Sequence, residues 1–154
     1  MNALRWATRL VAAVGLGIDT YVHWHLAPSF DTLTGHGSPH VSQGQLFRVE
    51  AGLALVAMLL VLLLRRRSAA ALAVLVAGGG VAAVLLYRYV DVGAFGPFPT
   101  MYEPFWYTEK TVSAVAEAVA ALAALLYLFL PTGADQARDV LTGADSRARH
   151  SAVS

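Results

Sequence analysis

Asp19, His23, Glu50, Arg88 and Glu117 are ionisable residues set within long apolar stretches of this chain. At the centre of a membrane span each would cost about 2.5 to 3.5 kcal/mol to bury on insertion scales, so each needs a partner, water or a function. Three chemistries are open to such a set. In the first, Arg88 pairs with Glu117 or Glu50, Asp19 pairs with His23, and the network only fixes helix register. In the second, Asp19, His23, Glu50 and Glu117 hold a divalent metal ion, as facing helices do in carboxylate-bridged bundles. Those bundles use Glu-x-x-His pairs, which this sequence lacks, although Asp19-x-x-x-His23 has a workable same-face spacing. In the third, the acids and His23 line a pocket for a small ligand or lipid headgroup, or relay protons through Glu117. Glu103 lies among aromatic rings just outside a span and joins the set as a mouth residue. No residue is assigned as catalytic. The chain carries no nucleophile motif, phosphate loop or nucleic-acid surface.

The elements that must position these residues are four apolar stretches, read as helices over about 4–26, 46–64, 69–90 and 108–130. A hydrocarbon core about 30 Å thick needs about 20 helical residues, and each stretch is long enough. The first is the weakest, because uninterrupted apolar sequence covers only Leu10 to Ile18. Arg5, Arg9 and that run could be taken for a signal peptide. However, Asp19, His23, Trp24 and His25 follow where a small-residue cleavage site belongs, so the helix is read as retained. Counting from Thr108 by the helical rise, Glu117 is about 13 Å into the fourth stretch.

Periodicity turns the ionisable groups inward together. Thr8, Ala12, Gly15, Asp19 and His23 form one stripe, Phe47, Glu50, Ala54 and Ala57 a second, and Ser113, Glu117, Ala120 and Ala124 a third. Each stripe is polar at one end and small at the other. Small residues let backbones approach closely where no hydrophobic force drives association, so that half should pack tightly while the other half holds the polar groups. Gly78, Gly79 and Gly80 would permit similar approach, or a bend, in the third helix.

Arginine sets the orientation. Arg5 and Arg9 precede the first helix, Arg65, Arg66 and Arg67 fill the second connection, and Arg138, Arg147 and Arg149 lie in the tail, which makes that face cytoplasmic. Both termini are then inside, and the loops around 27–45 and 91–107 face outward. The first loop reads as a flexible connection with turns at Thr34-Gly35 and Ser38-Pro39. His36 and His40 read as solvated loop residues that reach a metal only if the loop folds back. His23 and His25, two apart on a helix, point to nearly opposite sides, so His23 faces the pocket and His25 the interface. The second loop interleaves Pro97, Pro99 and Pro104 with Phe95, Phe98, Tyr102, Phe105, Trp106 and Tyr107, a composition suited to lipid headgroups or to a lid. Thr108 is placed to cap the last helix and Glu109 to meet its dipole. Beyond Pro131, Thr132-Gly133-Ala134-Asp135 recurs as Thr142-Gly143-Ala144-Asp145, and 131–154 reads as a disordered or weakly helical cytoplasmic tail.

Composition agrees with lipid as the solvent: 57% of the 154 residues are apolar and 14% charged, too greasy for a soluble domain of this length. With no cysteine, thiol catalysis, thiolate metal sites and disulfides are excluded, and with them thiol-disulfide four-helix oxidoreductases and claudin-like proteins. The strings Tyr21-Val22-His23-Trp24-His25-Leu26-Ala27-Pro28 and Met101-Tyr102-Glu103-Pro104-Phe105-Trp106-Tyr107 give residues 1–130 a resemblance to small uncharacterised four-span membrane proteins of high-GC actinobacteria, which implies no activity. Small multidrug exporters are shorter and have much shorter loops. Sterol-isomerase-like domains share only the architecture of inward acids around a membrane pocket.

The sequence therefore predicts an all-α, integral membrane four-helix bundle over 1–130, multi-pass in a bacterial cytoplasmic membrane, with an outward-opening pocket. Its leading function is binding of a small ligand or lipid, as an accessory protein. A membrane enzyme or metal protein using the carboxylates and His23 is the alternative, and a structural subunit, homo-oligomeric or with a membrane partner, is a third. A divalent metal is the one cofactor the residues suggest.

Overall fold

The computed structural model describes residues 2–35 and 40–131; Met1, His36 to Pro39 and the tail from Thr132, with its arginines and repeated tetrapeptide, lie outside them. Four helices follow in order: α1 (Asn2–Leu26), α2 (Gln43–Leu63), α3 (Arg67–Tyr89) and α4 (Thr108–Phe129). Among the described residues there is no strand, only isolated bridges between Thr34 and Ser42 and between Phe95 and Phe98. The helix α2 begins three residues earlier than its apolar run because Ser42 and Gln45 form a capping box: the serine hydroxyl accepts from the Gln45 amide, and the glutamine side chain accepts from the Ser42 amide. Thr108 does not cap α4. It is the first helical residue, Tyr107 takes the extended N-cap conformation, and no side-chain cap forms. Glu109 does lie in the first turn, where the helix dipole favours an acid.

Three helices, α2, α3 and α4, are long and apolar enough to cross a membrane. The 25-residue α1 has the length, but Arg5, Arg9 and Asp19 keep it from reaching the same apolar composition. Packing runs α1 on α2 and α4, and α3 on α4 and α2, which leaves α1 and α3 diagonal to one another.

The distribution of side-chain size is the reverse of that in a water-soluble protein. The contact core is mostly alanine, with Ala12, Ala54, Ala57, Ala73, Ala77 and Ala120 buried around Leu16. Large side chains point out: Leu63 is 74% exposed, Leu75 73% and Phe129 77%. Burying alanine releases little apolar area from water, so a core of this kind is held by close backbone approach and dispersion, the mode that works in lipid. Gly15 shows how close that approach is. A Cβ there would lie 2.6 Å from the Ala116 carbonyl oxygen and 2.9 Å from the Ala120 Cβ on α4.

The arginines hold one end together. Arg9, 4% exposed, donates from Nε to the Val61 carbonyl (2.9 Å) and from Nη2 to the Leu62 carbonyl (2.6 Å), which satisfies the last turn of α2. Arg5 donates to the Leu130 carbonyl at 2.7 Å and sits 4.3 Å from the Tyr127 ring centroid. Arg9 and Arg65 both stand over Trp6. Because Arg9 satisfies two carbonyls with one charged fork, Arg9→Met is expected to cost about 2 kcal/mol. That is about 5 °C in a thermal melt of detergent-solubilised protein, and an unchanged melt contradicts this role.

At the other end the two longer loops are tied to each other and to α2. The Val41 amide donates to the Pro97 carbonyl (2.9 Å) and Gln43 Nε2 to the Thr100 carbonyl (2.6 Å). The loop before α2, expected to be a free flexible connection, is thus anchored where it is described. A short 3-10 turn at Ala27–Phe30 leads to Asp31, whose carboxylate accepts a two-pronged bond from Arg48 at 2.6 and 2.8 Å. The guanidinium holds the Asp31 carboxyl below its usual range. A depressed carboxyl contributes stability above its unfolded value and loses it as pH falls through the folded value. Faster amide exchange around 31–35 is therefore expected below about pH 4, and Asp31→Asn is expected to remove that pH dependence.

Candidate functional site

At the end of α1 remote from its arginines, Asp19 and His23 are one turn apart on the face turned to α4. Asp19 is completely buried. Its Oδ1 lies 2.8 Å from His23 Nδ1 and accepts from Ser113 Oγ of α4 at 2.6 Å. Glu117, one turn beyond Ser113, is also completely buried. One ligand atom from each of Asp19, His23 and Glu117 falls within 4.8 Å of the others. Ser113 has a single proton to give, and it goes to Asp19. As ionised groups, both carboxyl oxygens of Glu117 and Oδ2 of Asp19 lack a donor, as does Glu50 Oε1; a proton on Glu117 would bond it to the facing Asp19 carboxylate. Buried acceptors without donors are rare and costly, and two facing carboxyl groups call for a proton, a cation or a ligand between them.

Gly80 of α3 makes room for Glu117, because a Cβ there would overlap its carboxyl group. Gly78 and Gly79 face open space, so of the three consecutive glycines only Gly80 serves close approach.

Above this cluster lies a cavity of about 300 Å³. Val22, Leu26, Phe47, Ala83 and Val84 form its apolar walls, and His23, Glu50, Ser113 and Glu117 its acidic base. Glu103, Tyr107, Lys110 and Gln43 also line it. Lys110 Nζ donates to the Glu103 carbonyl at 2.5 Å, and the Glu103 amide donates to the Tyr87 carbonyl at 3.0 Å, which draws the aromatic loop over the helices. Burial, with Glu103 and Glu109 nearby, pushes the Tyr107 phenol up, so it stays a hydrogen-bond donor at neutral pH.

Of the residues singled out from sequence, His23, Glu50, Glu103 and Glu117 line the cavity, and Asp19 stands directly behind His23 and Ser113. Arg88 does not line it. The face of α3 that does so is Gly80, Ala83, Val84 and Tyr87, at spacings of three and four; Arg88, one turn beyond Val84, borders that face but is not among the lining residues. Its guanidinium stands over the Tyr89 ring at 5.1 Å. Among the described residues it makes no ion pair with Glu50 or Glu117, so of the expected register pairings only Asp19 with His23 is formed. His25 is exposed and stacks on Tyr21. His40 lies in the loop, and His36 is outside the described residues. Sequence reasoning did not single out Lys110, which is 8% exposed, or Gln43, both of which line the cavity. Ser113 was legible in the α4 stripe, but its bond to Asp19 was not.

Fold and site together define an all-helical protein with membrane-capable helices and a cavity with carboxyl groups at its base. Comparison of the chain with protein-family models, with curated proteins and with solved structures gives no match.

Proposed function

We propose that this chain is a four-span protein of the bacterial cytoplasmic membrane, akin to the small actinobacterial proteins its sequence resembles, with both termini inside. In this reading α1 is the fourth span, and residues 1–130 form one four-helix transmembrane domain ahead of a cytoplasmic tail. The protein binds a small amphiphilic ligand or lipid in a cavity that opens to the outer side. The orientation rests on Arg5, Arg9 and Arg65, which meet at one end of the helices, since arginine-rich ends stay in the cytoplasm. The α1 arginines bind backbone carbonyls at that end, and Asp19 is paired, which reduces the cost of placing this helix in lipid.

The observation that carries the binding reading is the cavity: apolar walls above a base whose buried carboxyl oxygens lack donors. A pocket of this size with a few convergent polar groups suits a ligand that has an apolar body and a donor-bearing or cationic end. The exposed rings of Phe95, Phe105 and Trp106 would hold the loop at the headgroups, beside the opening. The small-residue faces that could have served assembly are used within the chain itself, which favours binding over a purely structural subunit.

Native mass spectrometry of protein purified in mild detergent tests this. An amphiphile retained at about one per chain is expected, and Ala83→Trp, which fills the cavity from α3, is expected to lower its occupancy about tenfold. An empty wild type, or retention unchanged by Ala83→Trp, contradicts the reading.

A further inference from the structure

We infer that Asp19, His23 and Glu117 form a site for a borderline divalent metal ion at the base of the cavity, with zinc as the best-matched probe. The inference deepens the pocket reading and rests on it.

The geometry supports it in three ways. Ligand atoms from the three residues lie within 4.8 Å of one another. Two donors on one ion with bonds of about 2.1 Å are about 3.0 to 3.4 Å apart in octahedral or tetrahedral coordination, so the 2.8 Å between His23 Nδ1 and Asp19 Oδ1 needs only a small opening to admit an ion. Independently of the clustering, the fully buried Glu117 has both carboxyl oxygens unpartnered, and so has Asp19 its Oδ2. Finally, Ser113 of α4 already holds Asp19 Oδ1, as an outer-shell hydrogen bond fixes a carboxylate ligand.

The donor set decides the class of ion. An imidazole with two carboxylates suits zinc, manganese or ferrous iron, whereas magnesium and calcium prefer oxygen alone. Two carboxylates neutralise a divalent charge, which a low-dielectric site demands. Glu50 lines the same cavity but lies outside the three-residue cluster. The ion takes the place of the proton between His23 Nδ1 and Asp19 Oδ1 and of the one between the facing Asp19 and Glu117 carboxyl groups, so binding releases protons to buffer.

The test is isothermal titration of chelator-treated full-length protein in nanodiscs with Zn²⁺, in two buffers of different ionisation enthalpy, with Mg²⁺ as the comparison. About one saturable Zn²⁺ per chain is expected, with proton release and no binding of Mg²⁺ under the same conditions. Glu117→Gln and His23→Gln are each expected to weaken Zn²⁺ binding at least about tenfold, with melting temperature recorded to show that each variant is folded. His23→Gln, at a less buried position, serves if Glu117→Gln does not fold. Ala83→Trp separates the two readings, because it is expected to expel the amphiphile and leave Zn²⁺ bound. No saturable Zn²⁺ in a wild type that retains its amphiphile overturns the metal site and leaves the pocket standing. Zn²⁺ binding that survives both Glu117→Gln and His23→Gln overturns the assignment of the ligands.

Discussion

Gly15→Leu is expected to lower the melting temperature by about 10 °C or to prevent accumulation of folded protein, the largest stability loss expected of any single substitution in α1. The reason lies in what the glycine faces. A Cβ at Gly15 would stand 2.6 Å from the Ala116 carbonyl oxygen, and that oxygen belongs to helical backbone, so relief requires the whole of α4 to move away. Overpacking costs about 1 to 3 kcal/mol even where side chains can yield. Here the γ and δ carbons of leucine add to a collision already present at Cβ, so the upper end applies, and about 3 kcal/mol corresponds to about 10 °C at this chain length. Displacing α4 also pulls Ser113 from Asp19, so the variant that does fold should have lost the site. Gly17→Ala is the matched control: its Cβ would meet only the Met58 sulfur at 3.2 Å, the end of a flexible side chain. It is expected to melt within about 2 °C of wild type. Equal effects from the two substitutions would contradict the packing described for α1 and α4.

Glu117→Met is expected to do the opposite, raising the melting temperature while abolishing binding. Glu117 is fully buried, faces the Asp19 carboxyl, and receives no hydrogen bond from any other side chain or amide. Replacing a buried, incompletely hydrogen-bonded polar group by an apolar side chain of similar length is commonly neutral or stabilising by about 1 to 4 kcal/mol, which is about 3 to 12 °C here. If Glu117 served only to fix helix register, its removal would unpair a partner and destabilise the fold. The sign of the change therefore separates the two roles. A residue kept at a cost in stability is the mark of a functional site, and a clear fall in melting temperature with Glu117→Met would return Glu117 to a structural role.

Much of this arrangement was legible because it is local. Asp19 and His23 share a face through the i, i+4 spacing, and Ser113 and Glu117 do the same in α4. The alanines that continue both stripes, Ala12 and Ala120, are buried, as the close-packing argument expected. The apolar run places the start of α2 at 46, whereas the Ser42–Gln45 capping box, outside that run, begins the helix three residues earlier. Non-local features were not legible. Lys110 is buried because the aromatic loop folds back to present the Glu103 carbonyl, and no spacing within α4 announces that contact. Arg88 attracts attention by its charge, whereas the face of α3 on the cavity is marked by Gly80 and Tyr87, residue types common in any apolar helix. In α1, two arginines and an aspartate obscure the apolar signal, and their partners on α2 and α4 come into view only once the helices are packed.

The central claim is that the buried acids converge on one interior space open to the outside. Single cysteines placed in this cysteine-free chain, probed in right-side-out membranes with a membrane-impermeant thiol reagent, test it most directly. Val84→Cys and Gln43→Cys, both on the cavity lining, are expected to be labelled from outside, and prior addition of an amphiphile recovered with the protein is expected to protect them. Ala57→Cys, in the alanine-packed half, is expected to stay unlabelled. Labelling of Ala57→Cys together with silence at Val84→Cys and Gln43→Cys would contradict the account, because water would then enter from the arginine end and the acids would have no outward opening.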